Sequence, residues 1–253
     1  MIKRHFFILG VKRSGHHAII NWICKQEKPS FHANNVSFGF DHLHGPVTRK
    51  HPHIEHIPRV MTYMADSGVN FKVKYDEALK NDYDLAIYSA EDKEFSLCSK
   101  IMHEKIDCAN FTYIVVVRDP YNFVASRLRN NSKPMKYRWP AQIEVWKEHV
   151  RTCLSKNDKN LVDINFNNWF VDKEYRKCIA NILDIPFTDD GLNDIRTGKS
   201  SFDGRRLQGN AQEMKVLERW KYYKNDESYW DLIDDEMVDL SKQYFGLEIK
   251  GRR

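Results

Sequence analysis

Nowhere in the chain do apolar residues run long enough to cross a bilayer, and no apolar leader precedes the first strand-like stretch. The chain is therefore expected to be soluble and cytoplasmic, with no membrane partner. Cys24, Cys98, Cys108, Cys153 and Cys178 are odd in number, and no two of them form C-x-x-C. They read as free thiols in a reduced compartment. Internal repeats and low-complexity tracts are also missing, so the 253 residues are expected to form one sizeable α/β domain, 1–253. Charge is not concentrated in either sign: 40 Lys and Arg stand against 35 Asp and Glu, a net +5. That balance suits an anionic ligand but is too weak to point to nucleic acid, which is not expected as a partner.

What the chain does have is concentrated in its first turn. His5-Phe6-Phe7-Ile8-Leu9-Gly10 is a short apolar run, followed by Val11-Lys12-Arg13-Ser14-Gly15. From His16 the pattern is helical, with Ala18, Ile19, Trp22 and Ile23 on one face. A strand, a glycine-bounded basic loop and a helix start can cradle a phosphate. The unpaired N–H groups and the positive dipole end of the helix both favour an anion. A tight, solvated basic turn also fits the loop alone.

The loop itself lacks something. Gly10 and Gly15 keep the glycine spacing of the nucleoside-triphosphatase loop, but His16 and His17 occupy the Lys and Ser/Thr positions. No Lys is placed to reach a β/γ-phosphate, and no hydroxyl to hold magnesium. A kinase or triphosphatase needs both. A nucleotide or sugar kinase with a degenerate loop stays as the enzyme-class rival, and a non-catalytic nucleotide-binding protein as the other.

Beyond the first helix, 29–59 shows little periodicity and holds His32, His42, His44, His51, His53 and His56, with Pro46, Pro52 and Pro58 among them. Few carboxylates and no Cys accompany them, so a long loop shaping a substrate cleft fits better than a metal site. Segments 60–65 and 75–80 read as weak helices. Segments 84–89 and 111–117 read as buried strands, the second β-branched and central. Arg118-Asp119-Pro120 ends it, with Asp119 and Pro120 suited to start a helix. Helices are expected over 95–106, 121–128, 140–156 and 173–183, and a strand over 161–166. The segment 198–206 is a basic loop, either solvated or a ligand lid, and 211–245 is mostly helical. Strands alternating with helices imply a parallel sheet covered on both faces.

Two stretches together resemble the sulfotransferases that use 3′-phosphoadenosine-5′-phosphosulfate (PAPS). Lys12-Arg13-Ser14-Gly15-His16-His17 after a strand resembles their 5′-phosphosulfate loop, usually Pro-[Lys/Arg]-Ser-Gly-Thr-Thr. The stretch from Val115 to Arg127 resembles their 3′-phosphate motif, an Arg ending a strand and a Ser eight residues on. The Gly198 to Arg206 segment sits where the family has a basic loop closing over the nucleotide. Lys12 departs from the usual Pro, and His16-His17 from the paired Thr. No His ends the strand before the 3′-phosphate strand, where animal cytosolic members carry their catalytic one.

The resemblance implies an α/β P-loop-like fold and a PAPS-dependent transferase. Lys12, Arg13, Ser14, Gly15, His16 and His17 would bind the phosphosulfate; Arg118, Ser126 and Arg205 would bind the 3′-phosphate side. Arg13 would also stabilise charge growing on the bridging oxygen. Glu91 is the natural base, with His16, His17 and His42 competing for the role, and Asp92 beside Glu91 would raise its pKa; an exposed Glu capping the next helix is the bland alternative. The acceptor, a small molecule or carbohydrate, would lie among 29–59 and 129–139. No metal cofactor is expected, because the loop offers no carboxylate and no hydroxyl at the position that holds magnesium.

Overall fold

The computed structural model describes residues 4–27, 30–36, 60–64, 71–81, 83–105, 111–130, 139–194, 200, 202–204 and 206–250. Among them, six strands form one sheet in the order β3-β2-β4-β1-β5-β6, and every pair is parallel. The strands are β1 (Arg4–Gly10), β2 (Ser30–Asn34), β3 (Val60–Met64), β4 (Leu85–Glu91), β5 (Phe111–Val117) and β6 (Leu161–Asn165). Around them lie α1 (His16–Gln26), α2 (Phe71–Leu79), α3 (Phe95–Lys105), α4 (Pro120–Asn130) and α5 (Trp139–Ser155). Then follow α6 (Phe166–Val171), α7 (Lys173–Ile182), α8 (Glu227–Trp230) and α9 (Asp235–Phe245). No helix among the described residues is long and apolar enough to cross a membrane.

The two-residue period of the central strands splits the core in two. Phe7, Leu9, Ala86, Tyr88, Ala90, Tyr113 and Val115 face one way, onto residues of α2, α3, α4, α5 and α9. Phe6, Ile8, Leu85, Ile87, Ile114 and Val116 face the other, onto α1, α6 and α7. These strands are buried on both faces, which is why their sequence reads as continuous apolar runs. The same alternation sends Ser89 and Glu91 to the face of Leu85 and Ile87, under α1.

Helix starts follow local chemistry. Asp119 accepts from the Asn122 N–H at 2.8 Å behind Pro120, as its sequence position suggested. Asn165, Asp172 and Asp234 cap α6, α7 and α9 in the same way.

The structure differs from the sequence reading at the far edge. Segment 60–64 is a strand rather than a helix, paired in register with β2 from Ser30↔Val60 to Asn34↔Met64. β2 itself lies in a stretch that reads as loop. It has no β-branched residue; the slot beside β4 makes it a strand, with Phe31 and Ala33 on one core. β4 also runs two residues past the expected 89, so Glu91 ends the strand instead of following it. His42, His44, His51, His53 and His56 lie outside the described residues.

Candidate functional site

β1 leads to β2 on one side of the sheet, and β4 leads to β5 on the other. Ligands bind open parallel sheets at the carboxyl ends of strands at such a reversal. The loop after β1 is a tight turn there, with the Ser14 N–H donating to Val11 O at 2.9 Å. Arg13 has φ +80° and Gly15, the residue before α1, φ +92°. A Cβ on Gly15 would stand 2.2 Å from the Phe166 ring, and one on Gly10 2.6 Å from Ser14 Oγ. Gly15 is therefore a steric requirement, while a Cβ on Gly10 would displace the Ser14 hydroxyl. No side chain caps α1 and no acidic residue sits in its first turn. Its leading N–H groups and positive dipole end are left for an anion.

The two sequence motifs meet in space. Arg118, 2% exposed, follows β5 and donates through Nη1 to Arg13 O at 3.3 Å and to Ser126 Oγ at 3.1 Å. Its other terminal nitrogen donates to Val216 O, and its guanidinium lies over the Phe166 ring, 5.2 Å from the centroid. Trp146 Nε1 holds Arg118 O at 2.9 Å, fixing the backbone from behind.

A third cation, Arg219, joins from the chain's C-terminal third. It donates to Ser126 Oγ at 3.1 Å and to Ser200 Oγ at 3.0 Å, with Asp203 Oδ2 at 3.6 Å. Burial first, then repulsion from Arg219, lowers the pKa of Arg118 to about 9; burial lowers that of Arg219 to about 10. Guanidinium groups stay charged, so these directions mean that the site favours an incoming anion. The Nε atoms of both are buried without a hydrogen-bond partner among the described residues. Sequence reading missed Arg219, which sits in a short 3₁₀ turn with no motif around it. It pins part of the expected closing loop: Ser200 pairs with Gly204, and Phe202 packs on Tyr222 and Tyr223. Arg205 lies outside the described residues.

At the other end of the loop, Glu91 Oε1 is 3.2 Å from His16 Nε2 and 3.3 Å from His17 Nε2. His16 is 1% exposed, with Nδ1 3.2 Å from Ser14 Oγ. Burial pushes the Glu91 carboxyl up, but the two imidazoles outweigh it and hold it well below the usual range. Asp92 therefore does not raise it as expected. Asp92 turns away at φ +55°, and its Oδ1 accepts the Lys12 N–H at 2.8 Å. Its Oδ2 takes Gln142 at 3.1 Å and Arg127 at 3.5 Å. Lys12 contributes this backbone contact, while its side chain is exposed. A loop without carboxylates in sequence thus has two supplied by the end of β4. Arg13 is electrostatically close to Glu91, although burial is the main influence on it and lowers its pKa.

The fold is that of sulfotransferases. The mouse sulfotransferase SULT7A1 complexed with PAP aligns with a TM-score of 0.52 at 17% identity, covering 96% of this chain and 90% of that one. The sulfotransferase domain of the Synechococcus PCC 7002 olefin synthase gives 0.55 at 14% identity, covering 98% and 96%. The sulfotransferase domain from the curacin biosynthetic pathway gives 0.54 at 14%, covering 98% and 99%. No protein-family profile and no curated protein sequence matches the chain.

Proposed function

We propose that the chain is a single-domain cytoplasmic sulfotransferase, moving a sulfuryl group from PAPS to a hydroxyl or amine of a small-molecule or carbohydrate acceptor. The observation that carries this is the reach of one side chain: Arg118 bonds both to the phosphate loop, at Arg13 O, and to Ser126. A nucleotide with phosphate at both 5′ and 3′ positions would span those two ends. The mouse neighbour's complex with PAP supports the same donor.

In this reading Lys12, Arg13, Ser14, Gly15 and the histidine pair hold the phosphosulfate. Arg118, Ser126 and Arg219 hold the 3′-phosphate, with Arg205 from the closing loop. The acceptor oxygen or nitrogen bonds to sulfur as the bond from sulfur to the 5′-phosphate oxygen breaks. The bisphosphate leaves as an anion, so it needs no acid, and Arg13 steadies the charge growing on it. The acceptor proton passes to Glu91. The shared contact of both imidazoles with one carboxylate oxygen favours a second reading of that last step, in which half-exposed His17 takes the proton and Glu91 orients its ring.

Calorimetry with 3′,5′-bisphosphorylated adenosine and with the 5′-monophosphate tests the donor. A charge-assisted clamp should give a preference above about tenfold. Transfer of labelled sulfate across an acceptor panel, with chelator present throughout, tests the chemistry. Equal affinities would overturn the assignment. Magnesium-dependent use of a triphosphate would favour a kinase, and donor binding without transfer to any acceptor a binding protein.

A further inference from the structure

Beyond the phosphosulfate contacts given to the histidines, Glu91, His16 and His17 form a cluster of one carboxylate and two imidazoles. One ligand atom from each lies within 4.8 Å of the others. His16 Nε2 is buried and makes no well-directed hydrogen bond, although Glu91 Oε1 is only 3.2 Å away. An imidazolium–carboxylate pair would normally align that N–H with the oxygen. Two imidazole nitrogens and a carboxylate oxygen around a tetrahedral ion, with bonds of about 2.0–2.2 Å, stand roughly 3.3 Å apart. The two edges from Glu91 Oε1, 3.2 and 3.3 Å, match this spacing, and the third, between the imidazoles, is within 4.8 Å.

The supports are in place too. Ser14 Oγ lies 3.2 Å from His16 Nδ1, where a hydroxyl can fix the ring so that Nε2 presents its lone pair. Both histidines sit on the first turn of α1 and the carboxylate ends β4, so the three donors are held by regular elements. His32 is electrostatically close, but its Nε2 is engaged by Ser89 Oγ at 3.1 Å. Two imidazoles and one carboxylate are borderline donors that suit zinc better than magnesium or calcium, which prefer all-oxygen shells.

We propose that His16 Nε2, His17 Nε2 and the Glu91 carboxylate bind one Zn²⁺, leaving a fourth position open to water. Binding makes no use of the sulfotransferase reading. Its consequence does rest on that reading: an ion there withdraws Glu91 and His17 from the proton transfer, so zinc inhibits turnover instead of supporting it.

The test uses the full chain, stripped with chelator and free of nucleotide. Zinc chloride is titrated by calorimetry, and cobalt(II) by visible absorption, which reports tetrahedral coordination. One equivalent is expected, with affinity falling at least about tenfold in His17→Ala and in Glu91→Gln. Far-UV circular dichroism checks folding, and His17→Gln is the second variant if alanine unfolds the helix start. Replacing His42, His44, His51, His53 and His56 together should leave the equivalent intact. Absence of binding, or binding unchanged by the His17 and Glu91 variants, overturns the site. Zinc bound there with sulfate transfer undiminished overturns the inhibition. If the site binds zinc while no acceptor is ever sulfated, the site stands and the proposed function falls.

Discussion

Arg118 Nη1 and Arg219 Nη1 reach the same oxygen, Ser126 Oγ, each at 3.1 Å. Two buried cations sharing one neutral acceptor repel each other, and that repulsion is relieved when an anion enters between them. Arg118→Ala and Arg219→Ala should each weaken bisphosphorylated adenosine by about tenfold or more and leave the 5′-monophosphate nearly unchanged. The double variant should lose less than the product of the two, because each single change also removes the other's repulsion. Calorimetry on the four proteins measures this. Wild-type affinity in Arg219→Ala would remove that residue from the clamp.

Gly15→Ala should be costly in a way that composition does not suggest. The residue has φ +92° and its new Cβ would meet the Phe166 ring at 2.2 Å. Left-handed strain and overpacking each cost about 1–3 kcal/mol. Urea denaturation should show a loss of that order, and Gly15→Ala together with Phe166→Ala should lose less than the sum of the two. Full additivity would mean that the loop and the ring do not touch.

Glu91→Gln keeps the shape of the side chain and removes its charge. Loss of a general base costs about 10²–10⁴-fold in rate without loss of donor binding. Single-turnover sulfate transfer and bisphosphate calorimetry separate the two effects. Near-normal transfer in this variant, with transfer lost in His17→Ala, would make the imidazole the base.

His5 gives a pH dependence of stability unconnected with the site. It lies among the rings of Tyr75, Tyr88 and Phe111, and burial pushes its pKa from 6.5 down to about 4. Below pH 6.5 the unfolded chain takes up a proton that the folded one refuses. Stability therefore falls as pH drops from 6.5 to about 4, by about 1.4 kcal/mol per unit for this group, and levels off below. His32, pushed down to about 3, acts in the same direction. His5→Phe should flatten part of the slope in urea titrations taken between pH 7 and 4. An unchanged slope would mean that His5 is not protonated on unfolding in that range.

The central sheet was legible because β1, β4 and β5 are apolar on both faces, and Asp119-Pro120 announces its own helix. The edge was not. Ser30-Phe31-His32-Ala33-Asn34 has little intrinsic preference for a strand, and only the neighbouring β4 specifies one. In the site, Arg118 and Ser126 were readable because their spacing of eight places both at one strand end and on the following helix. Arg219 was not, since it arrives from 93 residues beyond Ser126 and its neighbours carry no pattern. The environment of Glu91 was misread for a related reason. Its sequence neighbour Asp92 points to a different partner, while the groups that set its charge come from α1.

Glu91 and Asp92 are consecutive, yet one meets the histidines from the sheet and the other clamps the Lys12 N–H after a left-handed turn. Their division of labour is a matter of counting. Deleting one residue from the end of β4 would bring the shorter Asp92 to the position of Glu91 and leave Lys12 facing the next residue, Lys93. Inserting one before Glu91 would move it to the place of Asp92, against the Lys12 N–H, and leave Ala90 or the inserted residue facing the imidazoles. The carboxyl end of β4 should therefore tolerate changes of side chain far better than changes of length. Library selections that permit insertions and deletions would show this as a gap at 89–92.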